Sequence, residues 1–148
     1  MPDRYKAAVI QATPVLFDRD ATVDKAVRLI AEAAAGGASL VLFPEAFIPA
    51  YPRGLAFGTV VGSRSPVGRD VWQRYWEQSV DVPGEATAAI GEAAAKHGVH
   101  VAIGVIEREN RYGARPGGTV YCTTLYFGSD GTLLGKHRKL KPTAAERL

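Results

Sequence analysis

Cysteine is nearly absent from this chain. Its 148 residues contain one, Cys122, and three scattered histidines, so an internal disulfide framework is excluded and neither an H-E-x-x-H nor a paired C-x-x-C pattern can be assembled. No metal and no cofactor is expected. Strong charge of one sign is missing too: the formal net charge is +3, and the basic residues are scattered until the C-terminal stretch, which leaves no electrostatic footprint for nucleic acid. No apolar run approaches the roughly 20 residues that span a bilayer. Met1 to Arg4 lead straight into a strand-like run without the apolar core of a signal peptide. A cytoplasmic protein that binds neither nucleic acid nor membrane is expected. Internal repeats, low-complexity segments and linkers are also lacking, so the chain, 47% hydrophobic, reads as one domain over residues 1–148 with a real core.

What is present is an alternation of strands and helices. Residues 5–12 are apolar nearly throughout, which predicts a first strand covered on both faces and ended by Pro14. Val23, Val27, Ile30, Ala31 and Ala34 form the stripe of a helix, with Asp20 as its N-cap and Gly36-Gly37 as its stop. Residues 40–43 are a second strand, parallel to the first because a crossover helix links them. Prolines and glycines punctuate residues 49–66, predicting a long loop whose Tyr51, Leu55, Phe57, Val60 and Val61 suit a pocket wall. Val71, Trp72, Tyr75, Trp76 and Ser79 share a face of a helix over residues 69–80, either a lid over a site or a packing helix. An alanine-rich helix then runs to Lys96, with His97 favouring its dipole and Gly98 ending it. Three strands follow, at residues 99–107, 119–127 and 133–140, with a turn over 110–118 and a hairpin at Gly128-Ser129-Asp130-Gly131. The fold class is α/β with a mixed sheet. The strands are apolar on both faces while three helices are too few to cover them, so a partner or a missing half is implied.

Two stretches carry chemistry. At the carboxyl end of the second strand Pro44 stops the ladder, and Glu45 follows among apolar and aromatic residues. A carboxylate there is either paired, with a shifted pKa, or a loop residue that reaches water. Further on, a period of two puts His137 and Lys139 on one face of the last strand with Arg138 opposite. Setting Lys139 against Glu45 would couple their titrations; the other reading is a solvated basic edge strand that discourages aggregation.

Phe43-Pro44-Glu45-Ala46-Phe47-Ile48-Pro49-Ala50-Tyr51-Pro52 and Gly135-Lys136-His137-Arg138-Lys139-Leu140-Lys141-Pro142-Thr143-Ala144-Ala145-Glu146-Arg147-Leu148 resemble the glutamate and lysine motifs of the nitrilases, within the carbon-nitrogen hydrolase superfamily. The opening strand, the Val82-Pro83-Gly84 turn and the hairpin of residues 118–131 are similar too, so the resemblance covers essentially the whole chain. The forms Phe-Ile-Pro-x-Tyr-Pro and His-Arg-Lys-Leu-x-Pro-Thr look more like true nitrilases than the amidase branches. The resemblance implies a four-layer α-β-β-α sandwich with mixed sheets, of which this chain is the N-terminal portion. It also implies association into dimers or spiral oligomers, and a Glu-Lys-Cys site that converts a small-molecule nitrile to a carboxylic acid and ammonia.

Carried over by residue, Glu45 is the general base, Lys139 the cation that stabilises tetrahedral intermediates, and Glu146 a second glutamate that helps orient the site, with Tyr51 and Pro52 in the substrate pocket. The family's nucleophilic cysteine lies downstream of the lysine motif, beside a tryptophan and a glutamate, and this chain stops before that segment. Cys122, upstream and mid-strand, is not its match and is expected to be a buried inert thiol, so the chain alone is expected to be inactive. Two departures stand out: Ala50 where the family commonly has glycine, and Lys141 where many members have an apolar residue. An amidase or carbamoylase of the same superfamily stays open, as does a catalytically inactive assembly or binding module.

Overall fold

Asp18, in extended conformation, starts the first helix: its carboxylate accepts the Ala21 N–H at 2.9 Å, satisfying one of the orphan donors of the first turn. Asp20, the N-cap expected from the sequence, instead lies inside that turn, where its charge favours the dipole. The computed structural model describes residues 4–52, 54, 59–60, 63–109 and 118–143. In chain order the elements are β1 (Ala7–Val9), α1 (Arg19–Ala35), β2 (Leu40–Leu42), β3 (Thr59–Val60), β4 (Ser63–Arg64), α2 (Pro66–Glu77), α3 (Glu85–His97), β5 (His100–Arg108), β6 (Val120–Phe127) and β7 (Leu133–Arg138).

Five strands make one mixed sheet in the order β1-β2-β5-β6-β7, parallel from β1 to β5 and antiparallel from β5 to β7. α1 and α3 cover one face. Val23, Ala26 and Ile30 from α1 and Ile90, Ala93 and Ala94 from α3 pack on Val41, Val101, Ile103, Val105, Leu125 and Phe127 of the sheet. Each of the larger aliphatic side chains removed from water there contributes roughly 1.5–3 kcal/mol. The other face is covered only near Ile106, where Ala46 and, from α2, Tyr75 pack; Val9 and Leu42, with Tyr126 on the same rung and Leu40 two residues away, remain exposed. The described residues thus supply one full helical layer, α1 and α3, on one five-stranded sheet, where the four-layer sandwich needs a second large sheet and a second helical layer.

Three local expectations change. β1 holds three residues, not eight, pairs with β2 alone among the described residues, and is not covered on both faces, since Val9 is 74% exposed. Inside the stretch expected to be an irregular loop, the β-branched Thr59 and Val60 pair with Arg64 and Ser63 as two short antiparallel strands. α2 begins at Pro66 rather than residue 69, since the Ser65 hydroxyl caps the Gly68 N–H at 3.0 Å and proline suits the first helical position. It ends at Glu77, so Ser79 lies beyond it and donates its hydroxyl to the Tyr75 carbonyl at 2.8 Å. Tyr75 is the buried centre of an aromatic cluster, with Phe17, Tyr51 and Trp72 rings around it, that seats α2 near Ala46 and Ile106.

Candidate active site

The glutamate is placed by an excursion along the edge of β5. Phe43 N–H bonds the Ala102 carbonyl at 2.8 Å, and the chain returns at Ile48, whose N–H bonds the Gly104 carbonyl at 3.3 Å and whose own carbonyl accepts from Ile106 N–H at 2.7 Å. Residues 44–47 must therefore bulge over Gly104. The approach is so close that a Cβ on Gly104 would lie 2.6 Å from Glu45 Cα and 2.5 Å from the Pro44 carbonyl oxygen. Ala46, next in the excursion, has a positive φ of 50°. This geometry puts Glu45 over the open face of the sheet.

The lysine reaches the same face from the far strand. Thr124 pairs with Gly104 on one side and His137 on the other, and two residues along, the Lys139 N–H bonds the Cys122 carbonyl at 2.8 Å. Alternation then does what a period of two requires: Lys136 and Arg138 turn to the helix-covered face, where they bind Glu107, while Lys139 turns to the open one. Lys139 Nζ lies 2.8 Å from Glu45 Oε1, and the Cys122 thiol donates to the same oxygen at 3.4 Å. A cavity of about 260 Å³ adjoins the pair, lined by Glu45, Cys122, Thr124, His137, Lys139 and Leu140.

The hydrogen bond from Lys139 holds the Glu45 carboxyl below the usual carboxylate range; partial burial opposes it, and the Cys122 thiol and the charge of Lys139 reinforce it. At neutral pH the site is therefore a carboxylate held by an ammonium. Such a pair can take a proton from a thiol or a water and can offset negative charge that develops on a reacting group.

Of the five residues singled out in the sequence, Glu45 and Lys139 meet. Tyr51, half-buried, packs edge-on to Tyr75 with ring centroids 6.3 Å apart, and Pro52 is buried; neither lines the cavity beside Glu45. Glu146 lies outside the described residues. Cys122 departs from expectation. It is half-buried rather than buried, and its thiol faces the carboxylate. Counting back from the hairpin would have put it opposite Arg138, but a one-residue bulge at Tyr126/Phe127 shifts the register and brings it opposite Lys139. Gly104 and Glu107 were also missed; no sequence pattern distinguishes them from other strand residues.

The chain is similar to known proteins over nearly its whole length. The carbon-nitrogen hydrolase family matches residues 6–148. An aliphatic nitrilase of Sinorhizobium fredii is 50% identical over 145 residues, which are 98% of this chain and 44% of that protein. A bifunctional nitrilase/nitrile hydratase of Lupinus angustifolius is 48% identical over 143 residues, 97% of this chain and 39% of its own length. Among solved structures, an amidase from Nesterenkonia sp. superposes with a TM-score of 0.64 at 18% identity, covering 99% of this chain and 48% of that one. The chain spans less than half the length of each of these relatives.

Proposed function

The chain belongs to the carbon-nitrogen hydrolase family, and from that premise we propose that the whole protein is a nitrilase-type hydrolase that turns a small nitrile into a carboxylic acid and ammonia. The observation that carries this reading is the 2.8 Å contact between Glu45 and Lys139 at the mouth of a cavity, on the two motifs shared with the nitrilases. The identity of about half the aligned residues to curated nitrilases supports a nitrile rather than an amide.

In this reading the nucleophilic thiol belongs to the part of the domain that the longer relatives possess beyond the matched span. Glu45 accepts the thiol proton, and the thiolate attacks the nitrile carbon while the nitrogen is protonated, giving a thioimidate. Glu45 then deprotonates a water that adds to the same carbon. The tetrahedral intermediate expels ammonia and leaves a thioester, which a second water, activated in the same way, hydrolyses to the acid and the free thiol. Lys139 offsets the charge of both tetrahedral species, and Glu146 helps orient the pair. The substrate enters over the open sheet face; Tyr51 and Pro52, which do not line the cavity beside Glu45, belong to the part of the substrate pocket completed by the rest of the domain. The enzyme acts in the cytoplasm, as a dimer or spiral homo-oligomer, and draws on no metal or cofactor.

A second reading is favoured by one contact: with its thiol 3.4 Å from Glu45, Cys122 could itself be the nucleophile. Against it, Cys122 sits mid-strand in β6, where both neighbouring strands fix its backbone, and upstream of the lysine motif. We assign Cys122 the role of a hydrogen-bond donor to Glu45.

The test is ammonia release from aliphatic and aryl nitriles against the matching amides, by the protein extended to the length of its relatives and by the 148-residue chain. The extended protein should prefer nitriles and the shorter chain should release nothing above background. Preference for amides would replace the nitrilase with an amidase or carbamoylase. Silence of the extended protein on both would favour the binding module, and turnover by the shorter chain would move the nucleophile to Cys122.

A further inference from the structure

We propose that Glu107 is a positioning residue for Lys139: by holding Lys136 and Arg138 on the helix-covered face of the sheet, its carboxylate fixes the register of β7 and so delivers Lys139 to Glu45. The inference rests on the reading of Glu45 and Lys139 as the working pair.

β7 does not set its own register. Its sequence, Leu133-Leu134-Gly135-Lys136-His137-Arg138, lacks the apolar alternation that pins a half-buried strand: Leu133 at its start packs against the core, but Leu134 is 63% exposed, and Leu140 just beyond the strand is 89% exposed. The bulge at Tyr126/Phe127 lies at the start of the strand, so the pairing from Gly135 onward is one residue out of step with the hairpin that precedes it. A charged or glycine-rich strand at the end of the sheet order is the kind that slips.

Beyond Leu133, Glu107 supplies the anchor. It sits on β5, two strands from β7, and is 1% exposed. One carboxylate oxygen, Oε1, accepts from Lys136 Nζ at 2.5 Å and Arg138 Nη2 at 2.7 Å; the other, Oε2, accepts from Arg138 Nε at 3.1 Å and the Thr123 hydroxyl at 2.8 Å. The Arg138 guanidinium also lies over the Tyr121 ring, 3.8 Å from its centroid. A two-pronged guanidinium contact is specific in direction as well as strength. A slip of one residue would turn Lys136 and Arg138 to the open face and strand a buried carboxylate without its cations. A slip of two would restore the face but carry Lys139 roughly 7 Å along the strand, out of reach of Glu45. Only the observed register satisfies both carboxylates.

Carbodiimide cross-linking reads this directly, because it joins a carboxylate to an amine already in contact, and mass spectrometry of the peptides identifies the pair. The parent chain should yield the Glu45–Lys139 link. In Glu107→Gln, which keeps the shape and the bond from Thr123, that link should fall at least several-fold, with new links from Glu45 to Lys136 or Lys141. Helical content by circular dichroism should stay at the parent level. A merely structural role would lower the melting temperature and leave the link yield of the folded protein unchanged, and that result overturns the proposal. Should Glu107→Gln not fold, Arg138→Met, at a side chain 40% exposed, makes the same measurement with the same two outcomes. No turnover is involved, so a protein without hydrolase activity could still pass, and an active hydrolase could still fail.

Discussion

Gly104 passes directly beneath Glu45: a Cβ added to the glycine would sit 2.6 Å from the glutamate's Cα and 2.6 Å from Ala46 N, closer than real Cβ atoms approach. The excursion that carries the carboxylate is thus seated on bare backbone. Gly104→Ala should lift it off the sheet and lengthen the contact to Lys139. A displacement near 1 Å costs on the order of a hundredfold in rate, and the overpacking costs roughly 1–3 kcal/mol of stability. Ammonia release and urea denaturation of the extended variant check both; a rate within twofold of the parent would show that Glu45 does not depend on this seat.

Ala50 invites the opposite change. It holds a φ of 79°, a left-handed conformation that costs a non-glycine residue about 1–2 kcal/mol, and this is a backbone reason for the glycine common at this position in the family. Replacing it relieves that strain but frees the unfolded chain by about 0.4–1 kcal/mol. Ala50→Gly should therefore raise stability by up to about 1 kcal/mol in urea denaturation, and a clear loss of stability would contradict the strain. Lys141 is exposed, and nothing in the structure explains it.

Acid should weaken the fold at both carboxylates. Glu45 is held below the ordinary value of 4.5 mainly by the bond from Lys139; at Glu107, burial pushes upward but the bonds from Arg138, Lys136 and Thr123 outweigh it, and the net direction is down. A depressed native pKa adds stability that is complete above 4.5 and lost as pH falls through the native values. Glu45 is exposed, so solvent screening limits its share to at most about 1 kcal/mol. Urea midpoints should fall steadily as pH drops below 4.5, and Glu107→Gln should flatten the decline. A profile unchanged by Glu107→Gln would show that its ion pairs add nothing net.

The open face predicts association. Val9, Leu40, Leu42 and Tyr126 expose apolar surface side by side on a sheet, which favours contact with another surface over water. Sedimentation of the 148-residue chain at micromolar concentration should show self-association, reduced by Leu42→Lys. A monodisperse monomer would contradict this.

Helix and strand order apart from β3 and β4, the parallel β1–β2 pair and the placement of Glu45 and Lys139 were legible because each rests on local pattern: an apolar stripe, a proline that ends a ladder, a period of two. What was not legible depends on contacts between distant segments. The cap moved from Asp20 to Asp18 because the carboxylate two residues earlier reaches the first-turn N–H. Cys122 came to face Glu45 through a single-residue bulge that no propensity announces. Gly104 and Glu107 matter through what crosses them, a loop above one and two cations beside the other, and neither neighbour is near in sequence.

The measurement that tests the central claim most directly compares ammonia release from a nitrile by three single variants of the protein extended to the length of its relatives. Glu45→Gln removes the base and Lys139→Ala the charge stabiliser, so each should lower the rate by at least roughly a hundredfold, the usual scale for losing such a group. Cys122→Ala should leave the rate within a few-fold of the parent. Abolished turnover in Cys122→Ala with full turnover in Glu45→Gln would contradict the assignment of roles at its centre.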